Sequence, residues 1–211
     1  MSNLVTKIEV QKKNKERVNI FVNEEFFIAC DMSLVYMQGI KKGEEIDKEK
    51  INNIISEDNF IKAKSRSLRY LGRSYKTEKE VRKKLEEYEY NEEVINRVIE
   101  FLKEYDFIND DRYTELFIKE KLKKHGKNKI KYDLKLKGVD EKLINEKINS
   151  LDEDKELDIA YEIASKKYNQ LVRCEKDKLK IRKKLNDFLL RRGYDFSTVH
   201  ILLKKVMEEG E

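Results

Sequence analysis

Proline and tryptophan are absent from this 211-residue chain, and glycine occurs only seven times. Folds of many short strands depend on glycine and proline at their turns, so an all-β sandwich is excluded and helix is favoured. Cysteine and histidine are as scarce. Cys30, Cys174, His125 and His200 are scattered without ligand spacing, which argues against a zinc site. Long apolar runs are missing too: the longest, Phe26 to Cys30, is far short of the roughly 20 residues that cross a bilayer. No membrane partner is therefore expected. The N-terminus has neither the apolar core nor the small-residue cleavage site of a secretory signal, which places the chain in the cytoplasm with both thiols reduced.

Signatures of catalysis are lacking as well. No glycine precedes the Lys-Ser/Thr pair of a phosphate-binding loop, and neither histidine lies in a nucleophile-base signature. Asp110-Asp111 is the one acidic pair suggestive of magnesium. It stands just before the apolar helical pattern of Tyr113, Leu116 and Phe117, where acids cap a helix and favour its dipole. The expectation is no enzyme, no metal and no cofactor.

What the chain does contain is charge, 42% of its residues, and hydrophobic side chains, 39%. Near the N-terminus Ile8 and Val10, then Val18, Ile20 and Val22, alternate with polar residues. That period of two predicts a small antiparallel meander of two or three strands. Short helices are expected over 33–38, ending at Gly39, and over 48–55, after the turn at Gly43.

From about Phe60 the pattern turns helical and repeats. Val81, Leu85, Ile95, Ile99 and Leu102 recur as Ile130, Leu134, Ile144, Ile148 and Leu151, and again as Leu185, Leu189, Val199, Leu203 and Val206. Every one of these positions is aliphatic, and their steps of three and four residues place them on one helical face. Between the paired helices stand Glu89-Tyr90-Asn91, Gly138-Val139-Asp140 and Gly193-Tyr194-Asp195. Glycine ends one helix in the left-handed conformation and Asn or Asp caps the next; Glu89 departs from that rule. A further helix precedes each pair, over 60–72, 110–124 and 152–170, and Thr77 with Glu80 forms a capping box. The expected fold is mainly α: three tandem three-helix repeats in an elongated array, behind a small N-terminal β-hairpin/α element. The corresponding segments are 1–57, 58–106, 107–150 and 151–211.

Net charge is only +5, but its distribution is informative. Over residues 60–85 ten basic side chains face only Glu78 and Glu80, and clusters at 119–137 and 173–192 are similarly basic. The segment 86–106 is acidic instead. Such sorting by helix predicts a discontinuous basic stripe fit for a polyanion or an acidic groove, although charge also simply solvates exposed helix faces. Candidate contacts are Arg69, Arg73, Arg82, Lys83, Lys127, Lys131, Arg182 and Lys183. Tyr70, Tyr75, Tyr88, Tyr90 and Tyr132 lie among them and could stack on bases; most are expected in the core or at its rim.

Three stretches carry a family resemblance: Leu71-x-Arg73-x-x-x-Thr77-x-x-Glu80-Val81-x-x-x-Leu85, Phe107-Ile108-Asn109-Asp110-Asp111-Arg112-Tyr113, and Gly126-x-x-x-Ile130-x-x-x-Leu134-x-x-x-Gly138-Val139. Together they resemble the RecX regulatory proteins of bacteria, most strongly over 63–144 and more weakly in the third repeat. The resemblance implies a cytosolic modulator without catalysis of its own. Its partner would be the RecA recombinase filament on single-stranded DNA, bound along the helical groove across neighbouring protomers. It would curb strand exchange, ATP hydrolysis and the co-protease activity that triggers the SOS response. Some similar proteins also bind DNA directly. A monomer is the default. The competing readings are a stand-alone basic helical DNA-binding protein and a purely protein-binding adaptor.

Overall fold

The computed structural model describes residues 3–208. Among these the chain forms one three-stranded antiparallel sheet and ten helices. Strands β1 (Val5–Val10), β2 (Arg17–Val22) and β3 (Glu25–Asp31) lie in sequence order, and a two-residue turn at Asn23 and Glu24, both with positive φ, joins the last two. Val18, Ile20 and Val22 point inward as their alternation predicts. A register shift between Val5 and Lys7 breaks the same pattern in β1. There Val5 is buried and Val10 is left exposed.

Helix α1 (Met32–Met37) matches the expected short helix. The next two expected helices are in fact one, α2 (Lys48–Leu71). Its polar middle, Ser56-Glu57-Asp58-Asn59, reads as a break in the sequence, yet Asp58 is buried at 3% exposure. Arg17 grips that carboxylate with both Nη atoms at 2.8 and 3.2 Å, Lys62 Nζ sits 2.6 Å away, and the Asp31 backbone N–H donates to it at 2.9 Å. One side chain thus fastens the sheet to α2, a contact made 41 residues away in sequence.

The remaining helices are α3 (Glu78–Glu86), α4 (Glu92–Glu104), α5 (Asp110–Lys121), α6 (Lys127–Leu136), α7 (Glu141–Asn149), α8 (Glu153–Leu171), α9 (Lys178–Arg191) and α10 (Phe196–Glu208). They make three three-helix repeats: α2–α4, α5–α7 and α8–α10. All the repeated aliphatic positions are buried except Leu151, which is half-buried. Asn91, Asp140 and Asp195 cap the third helices by accepting backbone N–H bonds from Val94, Leu143 and Thr198. The acidic pair at 110–111 does not cap α5. Asn109 does, accepting from the Arg112 N–H, while Asp110 accepts the Glu78 N–H at the start of α3.

The chain divides into two compact units. One holds the residues up to Tyr75 together with Val81–Phe107; the other holds Lys76–Glu80 and the chain from Ile108 onward. In the second unit the same joint is built twice. Thr77, at the start of α3, donates its hydroxyl to the Lys137 carbonyl at 2.7 Å, and Gly126, at the start of α6, donates its N–H to the Arg192 carbonyl at 2.9 Å. Each acceptor immediately precedes a turn glycine. Gly138 (φ 81°) lies against Lys79, where a Cβ would come within 2.6 Å of the lysine Cβ, and Gly193 (φ 88°) lies against the Lys129 backbone, where a Cβ would come within 2.9 Å of the lysine Cα. These glycines are required twice over, for the left-handed backbone and for the close approach.

Candidate functional site

Position along the repeat does not determine whether a basic residue is available. In the second unit most cations of α6 already have carboxylate partners: Lys127 with Glu156 at 2.7 Å, Lys129 with Asp133 at 2.9 Å, Lys135 with Glu141 at 2.5 Å and Lys137 with Glu80 at 2.8 Å. Lys137 also hydrogen-bonds Tyr113. Burial opposes ionisation of Glu80, but the bonds from Lys137 and the Thr77 N–H outweigh it and hold the carboxyl below its usual range. Thr77 and Glu80 do form the expected capping box, through the Glu80 N–H on Thr77 Oγ1 at 3.2 Å and the Thr77 N–H on Glu80 Oε2 at 3.1 Å. The same two residues also build the joint to Lys137.

The first unit arranges its charge differently. The end of α2 and the face of α3 enclose an open cleft lined by Arg66, Arg69, Tyr70, Arg73, Lys84 and Tyr88. Arg66 and Arg69 stand three residues apart on one face of α2, and Arg73 follows in the turn just past its C-cap Gly72. The Arg66 guanidinium lies over the Tyr88 ring, 4.4 Å from its centroid, and 5.6 Å from that of Tyr90. Lys84 approaches the same Tyr88 ring at 5.2 Å and pairs with Glu87 at 2.7 Å on the rim. Among the described residues Arg66, Arg69 and Arg73 have no carboxylate partner.

Of the sequence-predicted contacts, Arg69 and Arg73 therefore share one cleft. Lys83 is exposed on α3, and Arg82 is half-buried with its guanidinium donating to Asn96 Oδ1 at 2.7 Å. Lys131 is half-buried on α6, and Lys127 is held by Glu156. Arg182 and Lys183 stand exposed on α9, where they border a shallow depression with Leu179, Phe196 and His200. Arg66 and Lys84 fall in the basic cluster read from the sequence without being singled out as contacts, and Tyr88, weighed for base stacking, is expected there in the core or at its rim. The signal was present: Arg66 and Tyr88 fall outside the aliphatic stripe, so neither is needed for the core. Tyr75, Tyr88 and Tyr132 are exposed rather than core, whereas Tyr70 and Tyr90 are half-buried. Leu179 and Phe196, about four-fifths exposed, were likewise unforeseen.

Among the described residues no three His, Cys, Asp or Glu side chains gather closely enough to hold an ion. At the acidic pair the Lys147 ammonium sits 2.9 Å from Asp111 and 2.6 Å from Glu115, a cation already in place. Among the same residues no helix is long and apolar enough to cross a membrane.

Fold and surface together define a tandem three-helix-repeat protein with a small sheet at its N-terminal end and basic side chains concentrated on particular helices. The described regulatory protein RecX N-terminal domain matches residues 3–47, and the first, second and third RecX three-helix domains match 63–102, 109–148 and 153–203. The chain is 46% identical to the regulatory protein RecX of Clostridium acetobutylicum, covering 99% of this chain and 98% of that one. It is 48% identical to that of Clostridium perfringens over 96% and 95% of the two chains. A crystal structure of a regulatory protein RecX superposes with a TM-score of 0.73 at 25% identity, over 96% of this chain and 98% of that one. The chain belongs to the RecX family of regulatory proteins.

Proposed function

We propose that this chain is a non-catalytic regulator that binds in the groove of the RecA filament on single-stranded DNA and lowers its strand exchange, ATP hydrolysis and co-protease activity. In this reading it acts as a cytoplasmic monomer in DNA repair and the SOS response. The observation that carries the reading is the set of exposed cations, Arg69, Arg73, Lys83, Arg182 and Lys183, that make no ion pair among the described residues. Unpaired guanidinium and ammonium groups on the first and third repeats suit an extended polyanion or an acidic groove. Arg82, Lys127 and Lys131 complete the proposed contact set, and Lys127 must exchange Glu156 for its new partner.

The test is DNA-dependent ATP hydrolysis by RecA on single-stranded DNA, titrated with this protein, with naked-DNA binding measured at the same salt. Inhibition at protein levels too low to coat the DNA is the expected result. Unchanged hydrolysis with tight binding to naked DNA would replace this reading with that of a stand-alone DNA-binding protein.

A further inference from the structure

We infer that His125 makes the joint between the second and third repeats a pH-sensitive latch, closed while its imidazole is neutral and loosened when the ring takes up a proton. His125 lies inside the joint, between two residues that the end of α9 holds. The Arg192 guanidinium donates to the Lys124 carbonyl at 2.6 Å, and the Gly126 N–H donates to the Arg192 carbonyl at 2.9 Å. The Asn128 N–H adds a third bond, to the Gly193 carbonyl at 3.1 Å. A ring that no longer fits therefore strains the backbone bonds on both sides of it.

Two features suit the joint to the neutral ring and not to the charged one. First, His125 Nδ1 is buried and has no hydrogen-bond partner among the described residues. A neutral imidazole with its proton on Nε2 leaves only a lone pair at that atom. An imidazolium carries a donor on both nitrogens, so Nδ1 becomes a charged N–H without an acceptor, the costlier defect. Second, the charged groups facing the ring are mostly cations: Arg192 at the end of α9, Lys121 at the end of α5 and Lys129 on α6. Asp133, also on α6, is the opposing charge, but Lys129 already holds it at 2.9 Å. Burial first and Arg192 next push the imidazole below its ordinary value.

Because the folded ring is the weaker base, the joint has its full strength above the ordinary histidine value of about 6.5. It loses stability as pH falls from there through the folded value. The joint fixes the spacing between Lys127 and Lys131 on α6 and Arg182 and Lys183 on α9. Loosening it uncouples two groups of the proposed contact set, so acid relieves regulation. That consequence rests on the proposed function; the latch itself does not.

The experiment uses the full chain. Its two histidines are followed by NMR through a pH series, with His125→Gln assigning the His125 signal. Hydrogen exchange, corrected for the intrinsic chemical rate, follows α6, α9 and α10. His125 is expected to titrate below its ordinary value, and exchange in the three helices to rise several-fold between about pH 7 and about pH 5. His125→Gln and His125→Leu, neutral throughout, should lose this acid response. Lys121→Glu, which brings a carboxylate to the ring, should raise the His125 midpoint and shrink the response. Inhibition of RecA hydrolysis by wild type and by His125→Gln is compared at each pH, which cancels the pH dependence of the recombinase. The two should match at neutral pH, and wild type should fall behind in acid.

A His125 midpoint at or above the ordinary value overturns the latch. An acid rise in exchange that persists in both His125 variants, or that spreads evenly over the first repeat, overturns it as well. If exchange behaves as expected but the two proteins inhibit hydrolysis equally at every pH, the latch stands and its regulatory consequence falls. If neither inhibits at neutral pH, the filament reading falls and the latch stands on the exchange data alone.

Discussion

The first and second units carry the same motif and treat it in opposite ways. Each turn between the second and third helix of a repeat passes through positive φ: 58° at Glu89, 81° at Gly138 and 88° at Gly193. In the second unit both turns receive the start of another helix, and the nearby lysines are tied to carboxylates. In the first unit Glu89 is exposed beside an open depression, and the arginines of α2 are unpaired. A residue with a side chain is tolerated where nothing packs on the turn, and cations stay available where no joint needs them. Repetition thus conserves the scaffold while the chemistry differs from one copy to the next.

The largest test of this contrast is Gly193→Ala. Left-handed strain and collision with the Lys129 backbone together should cost about 4 kcal/mol. Chemical denaturation measures the loss, and hydrogen exchange should localise it to α6, α9 and α10. A loss below about 1 kcal/mol would mean that the joint relaxes freely and that the two kinds of turn are alike.

The first unit has its own weak point in Asp58. Burial opposes its ionisation, yet hydrogen bonds from Arg17, Lys62 and the Asp31 N–H hold the carboxyl below its usual range. Asp58→Asn should cost about 3 kcal/mol at neutral pH, with lost exchange protection in β2, β3 and α2. Because the folded carboxyl is the stronger acid, the stabilisation is full above the ordinary aspartate value. It fades as pH falls through the depressed folded one, so wild type and variant should converge in acid. A difference that persists unchanged at low pH would assign the effect to packing instead.

A smaller effect is expected from Lys137→Met. Both partners of the Lys137–Glu80 pair are about a quarter to a third exposed, so solvent screening limits the loss to about 1 kcal/mol. The depressed Glu80 gives the same sign of pH dependence: the contribution is present above the ordinary glutamate range and lost on acidification. Thermal unfolding at two pH values checks it. The smallest change sharpens the comparison from the other side. Glu89→Gly removes the Cβ at positive φ without disturbing a joint and should stabilise the chain by about 0.5 kcal/mol. Destabilisation would show that the Glu89 side chain makes a contact of its own.

Much of this architecture is legible before any coordinates. The aliphatic ladder from Val81 to Val206 reads directly as repeated helix pairs, because a helix buries whatever recurs every three to four residues. Asn91, Asp140 and Asp195 announce helix starts, since a cap acts on amides two or three residues away. The continuous α2 was not legible, because Asp58 looks like a helix break until Arg17 is placed beside it. Nor was the exposed edge of repeat three, where Leu179 falls out of phase with Ile181, Leu185 and Leu189. Arg66 and Tyr88 are 22 residues apart, and no local rule joins them.

The sequence by itself determined the repeated helix pairs, the caps of their third helices, the three-fold repetition and the family, since each depends on spacing within a few turns or on matched residues. Only the tertiary structure decided which cations are free, which glycines are joints, and that an arginine stacks on Tyr88. Ion pairing and close packing depend on distances of a few ångströms between residues tens of positions apart, and spacing along the chain does not encode those distances.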